Sequence, residues 1–440
     1  MTHNPGRKEY RSFQQRLQKG AIGLPEHPAL YGLLAELFSP EECRVASVMP
    51  MKLAGVRRIA TLAGLDVPTT QALIDGLVHR GLIVDLERPD GKTVYFLNPP
   101  MVGFFEFSMN RMRTDIDQEK VARLMWDYLR ADPAQDFARM MFEGPTFLTR
   151  PLVNEEVLPP SSHTEILDWE RASQIVESAG SWAESMCYCR LVTRQLGRGC
   201  DYPPDNCLGL GLGAEYLIRN QMARRIDKAR ALEIIAESRA RGMVQMCDNV
   251  KRRPTFICNC CPCCCEILEG IRMLKNREAI ITSNWLAASD DDGCNGCNQC
   301  VKACPVEAIE LVPASPTGRA PKRKKRAVVN ADTCLGCGVC ISHCKFDALS
   351  LQRIPARIRT PESMMEKVMI QALERGKLQN LLFDDPKRLT HRVLNSLVRV
   401  ILTLPPAKAA LARDQVKSTF VRLALDGFTK TAQGWMAKVQ

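Results

Sequence analysis

Apolar positions along this chain recur with two periods, and the period marks the elements. Val56, Ile59, Ala60 and Ala63 fall on one helical face, and Gly64-Leu65-Asp66 then supplies a turn. A second helix is predicted from about Pro68 to Arg80, with Leu73, Ile74, Leu77 and Val78 as its buried stripe and Gly81 as its stop. The pattern then shortens. Leu82-Ile83-Val84 and Val94-Tyr95-Phe96-Leu97 flank Pro89-Asp90-Gly91-Lys92, which predicts a hairpin.

Helical spacing returns near Gln118 to Arg130, and Pro145 to Pro160 reads as extended chain or loop. A helix is expected from about Trp169 to Glu184, with Ala172, Ile175, Val176 and Ala179 inward, delivering the chain to Cys187. Asp227 is placed to cap another, from about Lys228 to Arg241. Thr360-Pro361-Glu362 predicts a helix start with threonine as cap and proline in the first turn. The remainder to Gln440 reads as three helices broken at Asp384-Asp385-Pro386 and Pro405-Pro406. Its apolar and basic residues suit packing against the rest of the protein better than a membrane surface.

The 440 residues give room for about three domains. A hydrophobic fraction of 45% and a charged fraction of 25% are ordinary for globular protein and call for no disorder. No apolar run reaches the roughly 18 residues of a membrane span. The polar, basic segment 1–20 lacks the apolar core of a signal peptide. Twenty cysteines stand in clusters rather than spread as a disulfide framework, which points to metal in a reducing compartment, and the cytoplasm is the expected location.

The cysteine spacing carries the chemistry. Cys294, Cys297, Cys300 and Cys304, followed by Pro305, read C-x2-C-x2-C-x3-C-P; Cys334, Cys337, Cys340 and Cys344 repeat the gaps, with Lys345 in place of the proline. A [4Fe–4S] cube needs four converging thiolates, three from the short loop and the fourth from the other motif. Cys294, Cys297, Cys300 and Cys344 are therefore assigned to one cluster, and Cys334, Cys337, Cys340 and Cys304 to the second. Two zinc sites are the alternative, although zinc modules seldom use such tandem four-cysteine runs. The segment 284–352 resembles a bacterial two-cluster ferredoxin.

A second set lies upstream. Cys258, Cys260, Cys261, Cys263, Cys264 and Cys265 crowd into eight positions, and Cys187, Cys189, Cys200 and Cys207 precede them. In extended backbone, Cys258 and Cys260 would face one way, and Cys261, Cys263 and Cys265 the other, unless Pro262 bends the chain; Cys187 and Cys189 would share a face. These ten are candidate metal ligands. They suit two additional iron–sulfur clusters or one enlarged cluster, and otherwise one cubane with a structural zinc, or spare thiols. The arrangement C-x-C-R…C-D-x-P…C, then I-C-N-C-C-x-C-C-C, then a two-cluster ferredoxin resembles a broad group of 4Fe–4S ferredoxin-type proteins of anaerobes. That resemblance implies cluster binding and names no reaction.

The resulting expectation is an α+β multidomain chain. Residues 1–28 form an N-terminal extension, and 29–110 a winged-helix-like domain resembling the helix-turn-helix domains of small bacterial regulators. A cysteine-rich mixed domain spans 111–283, the ferredoxin-like domain 284–352, and a helical C-terminal region 353–440. DNA binding is not favoured, because the groove-reading helix offers Arg80 as its one firm positive charge, offset by Asp75. The formal charge of +11 falls to roughly +7 once two cubes of about −2 each are counted. Arg319, Lys322, Arg323, Lys324, Lys325 and Arg326 form a basic loop, 319–326, able to steer an acidic redox partner.

Several residues receive less weight. Gly209-Leu210-Gly211-Leu212-Gly213 lacks a clear preceding strand and dinucleotide spacing, which argues against a flavin or nicotinamide site. Arg190 and Asp201 flank ligands and suit either a hydrogen-bonding or a packing role. His163 and His343 are expected to be ordinary hydrogen-bonded histidines, and Cys43 and Cys247 buried, unliganded thiols. The leading functional reading is an electron relay or subunit of an anaerobic redox complex. Its competitors are a redox-responsive regulator, a reductase acting at the upstream cysteines, and a cluster-assembly protein.

Overall fold

The computed structural model describes residues 7–130, 137–142, 144–158, 166–274, 283–354, 360–385 and 388–404. The chain is a mixed α+β protein with many helices and small antiparallel sheets. Helices α1 (Arg7–Gln18), α2 (Pro28–Leu37), α3 (Pro40–Val48), α4 (Val56–Ala63) and α5 (Val67–His79) precede a hairpin of β1 (Ile83–Glu87) and β2 (Thr93–Leu97). The expected helix pair and hairpin are thus present within a residue or two. Asp66 caps α5 through the Thr69 N–H at 2.8 Å. Within the expected N-terminal extension, α1 packs on α3 and buries Tyr10, Phe13 and Leu17.

A short α6 (Phe105–Ser108), α7 (Gln118–Leu129) and α8 (Phe137–Phe142) lead into the middle region. This holds a six-stranded antiparallel sheet that periodicity did not reveal, with spatial order β3-β7-β8-β5-β4-β6. Its strands are β3 (Thr149–Pro151), β4 (Trp182–Met186), β5 (Asp205–Leu210), β6 (Arg224–Ile226), β7 (Val244–Asp248) and β8 (Phe256–Cys260). Three helices are interleaved: α9 (Ala172–Ser178), α10 (Tyr188–Gln195) and α11 (Gly211–Arg219). Then comes α12 (Lys228–Ala240), capped by Asp227 as expected.

One helix is corrected. The predicted element from Trp169 to Glu184 ends at Ser178; Gly180 turns the chain at φ +75°, and strand β4 delivers it to Cys187. The glycine-rich stretch also differs, since β5 does precede it. There Gly209 packs on α11, and a Cβ at Gly213 would meet the Thr255 carbonyl oxygen at 2.5 Å. These glycines serve close packing in an antiparallel sheet.

After α13 (Glu266–Leu274) comes a segment with internal symmetry. β9 (Trp285–Ser289), α14 (Gln299–Ala303), β10 (Ile309–Pro313), β11 (Lys325–Val329), α15 (Val339–Ser342) and β12 (Leu349–Arg353) form two two-stranded sheets, β9 with β12 and β10 with β11. The C-terminal helices are α16 (Met364–Glu374), α17 (Leu378–Leu382) and α18 (Leu389–Thr403). The first starts after Ser363, whose hydroxyl accepts from the Glu366 N–H, rather than at Thr360. An extra break at Gly376 separates it from α17. The third helix expected beyond Pro406 lies outside the described residues.

The C-terminal region clasps the rest. Asp384 pairs with Arg16 at 2.6 Å, both largely enclosed, and Arg16 also donates to the Met49 carbonyl at 2.8 Å. Lys367 on α16 meets Asp248 of β7 at 3.2 Å with both side chains under 5% exposed. By contrast α18 leaves Leu389, Val393, Leu397 and Val400 exposed among the described residues. No described helix is long and apolar enough to cross a membrane. Removing one partner of a buried ion pair strands the other charge. The substitution Lys367→Met is therefore expected to lower the unfolding free energy by about 3 kcal/mol, read from anaerobic denaturant titration. An unchanged midpoint would refute the clasp.

Candidate metal centres

The symmetric segment gathers its cysteines across the repeat. A pocket open on one side, with about 330 Å³ of empty space, is lined by Cys294, Cys297, Cys300 and Cys344 together with Ala327 and Leu349. On the other side Cys304 and Cys334 stand close enough to Cys337 and Cys340 to add to the effect of burial in raising those two thiols. Burial is the larger cause, and it pushes Cys337 up to about 12. Thiols so raised become ligands only when a metal takes their protons.

Backbone shape explains the gathering. Gly296 and Gly336 hold the matching third position of each C-x-x-C, at φ +74° and +67°. A Cβ there would sit 2.3 Å from the Lys325 carbonyl oxygen and 1.9 Å from that of Trp285. Each cluster loop thus lies flat on the strand leading into the other motif. The exchange is completed by amide donors: Ala327 N–H reaches Cys294 Sγ at 3.3 Å, Ala287 N–H reaches Cys334 Sγ at 3.5 Å, and Ala308 N–H reaches Cys304 Sγ at 3.1 Å. Donors aimed at sulfur stabilise negative charge there and raise a reduction potential.

The ten upstream cysteines divide into two sets. Sheet register builds the first. Leu208 pairs with Ile257, which sets Cys207 beside Cys258 on one face, and Cys260 follows two residues on. Cys187 ends β4, with its N–H bonded to the Pro204 carbonyl at 2.8 Å, and Cys189 lies on the first turn of α10. Neighbouring thiols then form a closed ring in the order Cys187, Cys189, Cys265, Cys260, Cys258, Cys207. Hydrogen bonds from Cys189 and Cys207 hold Cys187 well below the ordinary thiol range. The Cys189 and Cys260 thiols do the same for Cys265, and those of Cys207 and Cys260 bring Cys258 down to about 6. Negative charge therefore settles on alternate members.

The second set is Cys200, Cys261, Cys263 and Cys264, whose Sγ atoms all lie within 4.8 Å of one another. The expected facing holds for Cys258 and Cys260 against Cys261 and Cys263, and fails at Cys265. The strand ends at Cys260, residues 262–264 form a turn, and Cys265 swings back to the ring as α13 begins. Cys187 and Cys189 do share one set.

Arg190 lies between the sets, 1% exposed. It donates to the Pro203 carbonyl at 2.9 Å and the Asn259 carbonyl at 2.6 Å, and the charges of Cys187, Cys207 and Cys261 raise its own pKa. Its Nε and the Tyr188 hydroxyl are buried without a hydrogen-bond partner among the described residues. Unsatisfied donors facing crowded sulfurs fit anionic thiolates or sulfide. Asp201 is exposed.

Sequence reading missed the acids near the ring. Burial pushes the Glu106 carboxyl up to about 8 and that of Glu266 up to about 7. Both carboxylates, with Cys189, stand close enough to Tyr188 to raise its hydroxyl further above burial alone. A lone acid inside Phe104-Phe105-Glu106-Phe107 was the available signal.

The remaining residues behave as ordinary ones. His343 Nδ1 bonds the Val339 carbonyl at 2.9 Å, and His163 lies outside the described residues. Cys43 and Cys247 are fully buried, and burial pushes Cys247 up to about 11.

Residues 293–348 match the family model of the 4Fe-4S dicluster domain, which with the clustered cysteines marks an iron–sulfur protein. Neither a curated protein nor a solved structure matches the chain.

The glycine contacts yield a test. In Gly336→Ala the new methyl collides with the Trp285 carbonyl, so loss of about four iron and four sulfide per chain is expected. Gly318→Ala, whose Cβ meets nothing within 4 Å, is the control and keeps full content. Equal iron in both variants would refute the account.

Proposed function

We propose that the protein is an iron–sulfur electron carrier, a relay or subunit of a redox complex in anaerobic metabolism. Cys294, Cys297, Cys300 and Cys344 would hold one [4Fe–4S] cluster, Cys334, Cys337, Cys340 and Cys304 the second, and the upstream cysteines a further centre. Such clusters supply one-electron couples whose potentials depend on hydrogen bonds and burial. The observation that carries the reading is the exchange of the fourth cysteine, with Cys344 in the pocket of the first motif.

The cysteine sets are ordered from surface to interior. Cys297 is exposed, beside the Lys325 strand. The Cys304–Cys340 set faces inward: the Cys337 carbonyl accepts from the Asn154 N–H at 3.2 Å, and Arg272 on α13 donates to the Pro305 carbonyl at 2.8 Å. Helix α13 starts one residue after Cys265, and six residues at about 1.5 Å each separate Glu266 from Arg272. One short helix thus joins the ring to the second quartet. Twenty free thiols fit the reducing cytoplasm.

The helix pair and hairpin read as a winged helix used for docking. Arg80 turns inward to Glu42 and to the Leu37 carbonyl, so α5 offers no free arginine to phosphate. The hairpin is bound to α11 through Arg219 and Asn220 on Asp85, at 2.9 and 3.1 Å. In the basic loop, Arg319 pairs with Asp290 at 2.6 Å, Arg326 pairs with Asp291 at 2.7 Å, and Arg323 is buried against backbone carbonyls. Lys322, Lys324 and Lys325 remain exposed for an acidic partner.

Anaerobically purified protein is expected to carry at least about eight iron and eight sulfide per chain, with colour that bleaches reversibly on reduction. Colourless, sulfide-free material would overturn the reading. Replacing Lys322, Lys324 and Lys325 by glutamate should slow reduction by an acidic ferredoxin or flavodoxin about tenfold or more at low salt, and the difference should shrink as salt rises. Identical stopped-flow rates would remove the docking assignment.

A further inference from the structure

Spacing between sulfurs reports how many metal atoms a thiolate set can serve. Four thiolates on one ion, with bonds of about 2.3 Å, stand at the corners of a tetrahedron about 3.8 Å on edge. Four thiolates on a cubane bind four different irons and are held roughly 6 Å apart. In the second upstream set the Cys264–Cys200, Cys264–Cys263 and Cys200–Cys261 sulfurs are 3.5, 3.8 and 4.0 Å apart, and no pair exceeds 4.8 Å.

The chain contains its own comparison. Among the described residues no other group of three or more candidate ligands is that tight, the two ferredoxin quartets included. The six-membered ring is also different. No three of its sulfurs form a group within that limit, so it is a wider ring rather than a tetrahedron.

We propose that Cys200, Cys261, Cys263 and Cys264 hold a single tetrahedral metal ion, zinc or one iron, as a centre separate from the cluster served by the ring. This rests on the reading of the upstream cysteines as metal ligands and deepens it by dividing them four and six. Three ligands come from the turn after β8 and the fourth from the loop after α10, so the ion ties together the two segments that also feed the ring. Cys263 is exposed and Cys200 half-buried, which places the ion at the surface, with Arg190 between it and the ring. A four-thiolate ion carries about −2 with zinc or ferrous iron, and the guanidinium beside Cys261 offsets part of that charge.

The test uses the full-length holoprotein, purified without oxygen. Iron, zinc and sulfide are counted in the natural chain and in a Cys200→Ser/Cys263→Ser variant. The expected result is loss of about one metal atom per chain with sulfide unchanged, while the reduced-cluster electron paramagnetic resonance of the ferredoxin segment persists. Zinc lost identifies zinc, and iron lost identifies a lone iron. Loss of about four iron and four sulfide together, or of no metal, overturns the proposal.

A misfolded variant does not end the matter, because the natural protein gives its own reading. Metal-edge X-ray absorption should show one metal with four sulfurs at about 2.3 Å and no metal neighbour; its absence overturns the division. Failure of the broader iron–sulfur reading looks different, since sulfide is then missing from the natural protein as well.

Discussion

Ten thiols drawn into one region must be discharged by positive charge, and this constraint organises the protein. Two thiolates 4 Å apart repel by about 4 kcal/mol even at an effective dielectric of 20. Alternate members of the ring share protons with their neighbours, which relieves part of the repulsion. Arg190 relieves more. It is fixed by the Pro203 and Asn259 carbonyls, one on each side of the cysteine-bearing segments, so its charge cannot leave. A metal bound there would supply further positive charge, and ligand deprotonation would then couple metal binding to completion of the fold.

The rest of the chain reads as bracing for that region. Helix α10, which carries Cys189 and Arg190, packs on α7, and Arg130 at the end of α7 pairs with Glu266 at 3.1 Å and also with Glu269 on α13. The helix leading away from Cys265 is thereby anchored to the N-terminal region. Helix α16 holds β7 from the opposite direction through Lys367, whose partner Asp248 also accepts from the Thr255 N–H at 2.7 Å just ahead of β8. Regions without cysteine ligands thus restrain the strands and helices that present them.

What the sequence disclosed follows from what is local. Helices α4, α5, α7 and α12 declare themselves because their apolar period lies within one element, as does the Asp227 cap of α12. The ferredoxin segment is legible because four cysteines at fixed gaps encode a loop. The six-stranded sheet was not legible. Its strands are short, pair with partners far along the chain, and carry cysteine on one face and asparagine and glutamate on the other, so alternation is hidden. Trp182–Glu184 read as helix because the true helix before it ends at Ser178 and the apolar Ala179 beyond it fits either period. Cys265 does not join Cys261 and Cys263 because the turn at 262–264 and the start of α13 end the alternation, the bend at Pro262 that the expectation allowed for. Glu106 was overlooked because a single acid in an apolar run carries no spacing.

The N-terminal helices and hairpin show why a fold resemblance and a function must be argued separately. A groove-reading helix needs cations free to meet phosphate, and a wing needs freedom to reach the backbone. Here Arg80 is spent on Glu42, Arg58 on Asp385, and the hairpin's Asp85 on α11. The first contact closes within the N-terminal region, the second reaches the C-terminal region, and the third reaches the cysteine-bearing middle. Arg80 and Arg58, charges that a DNA reader would keep free for phosphate, are paired within the protein.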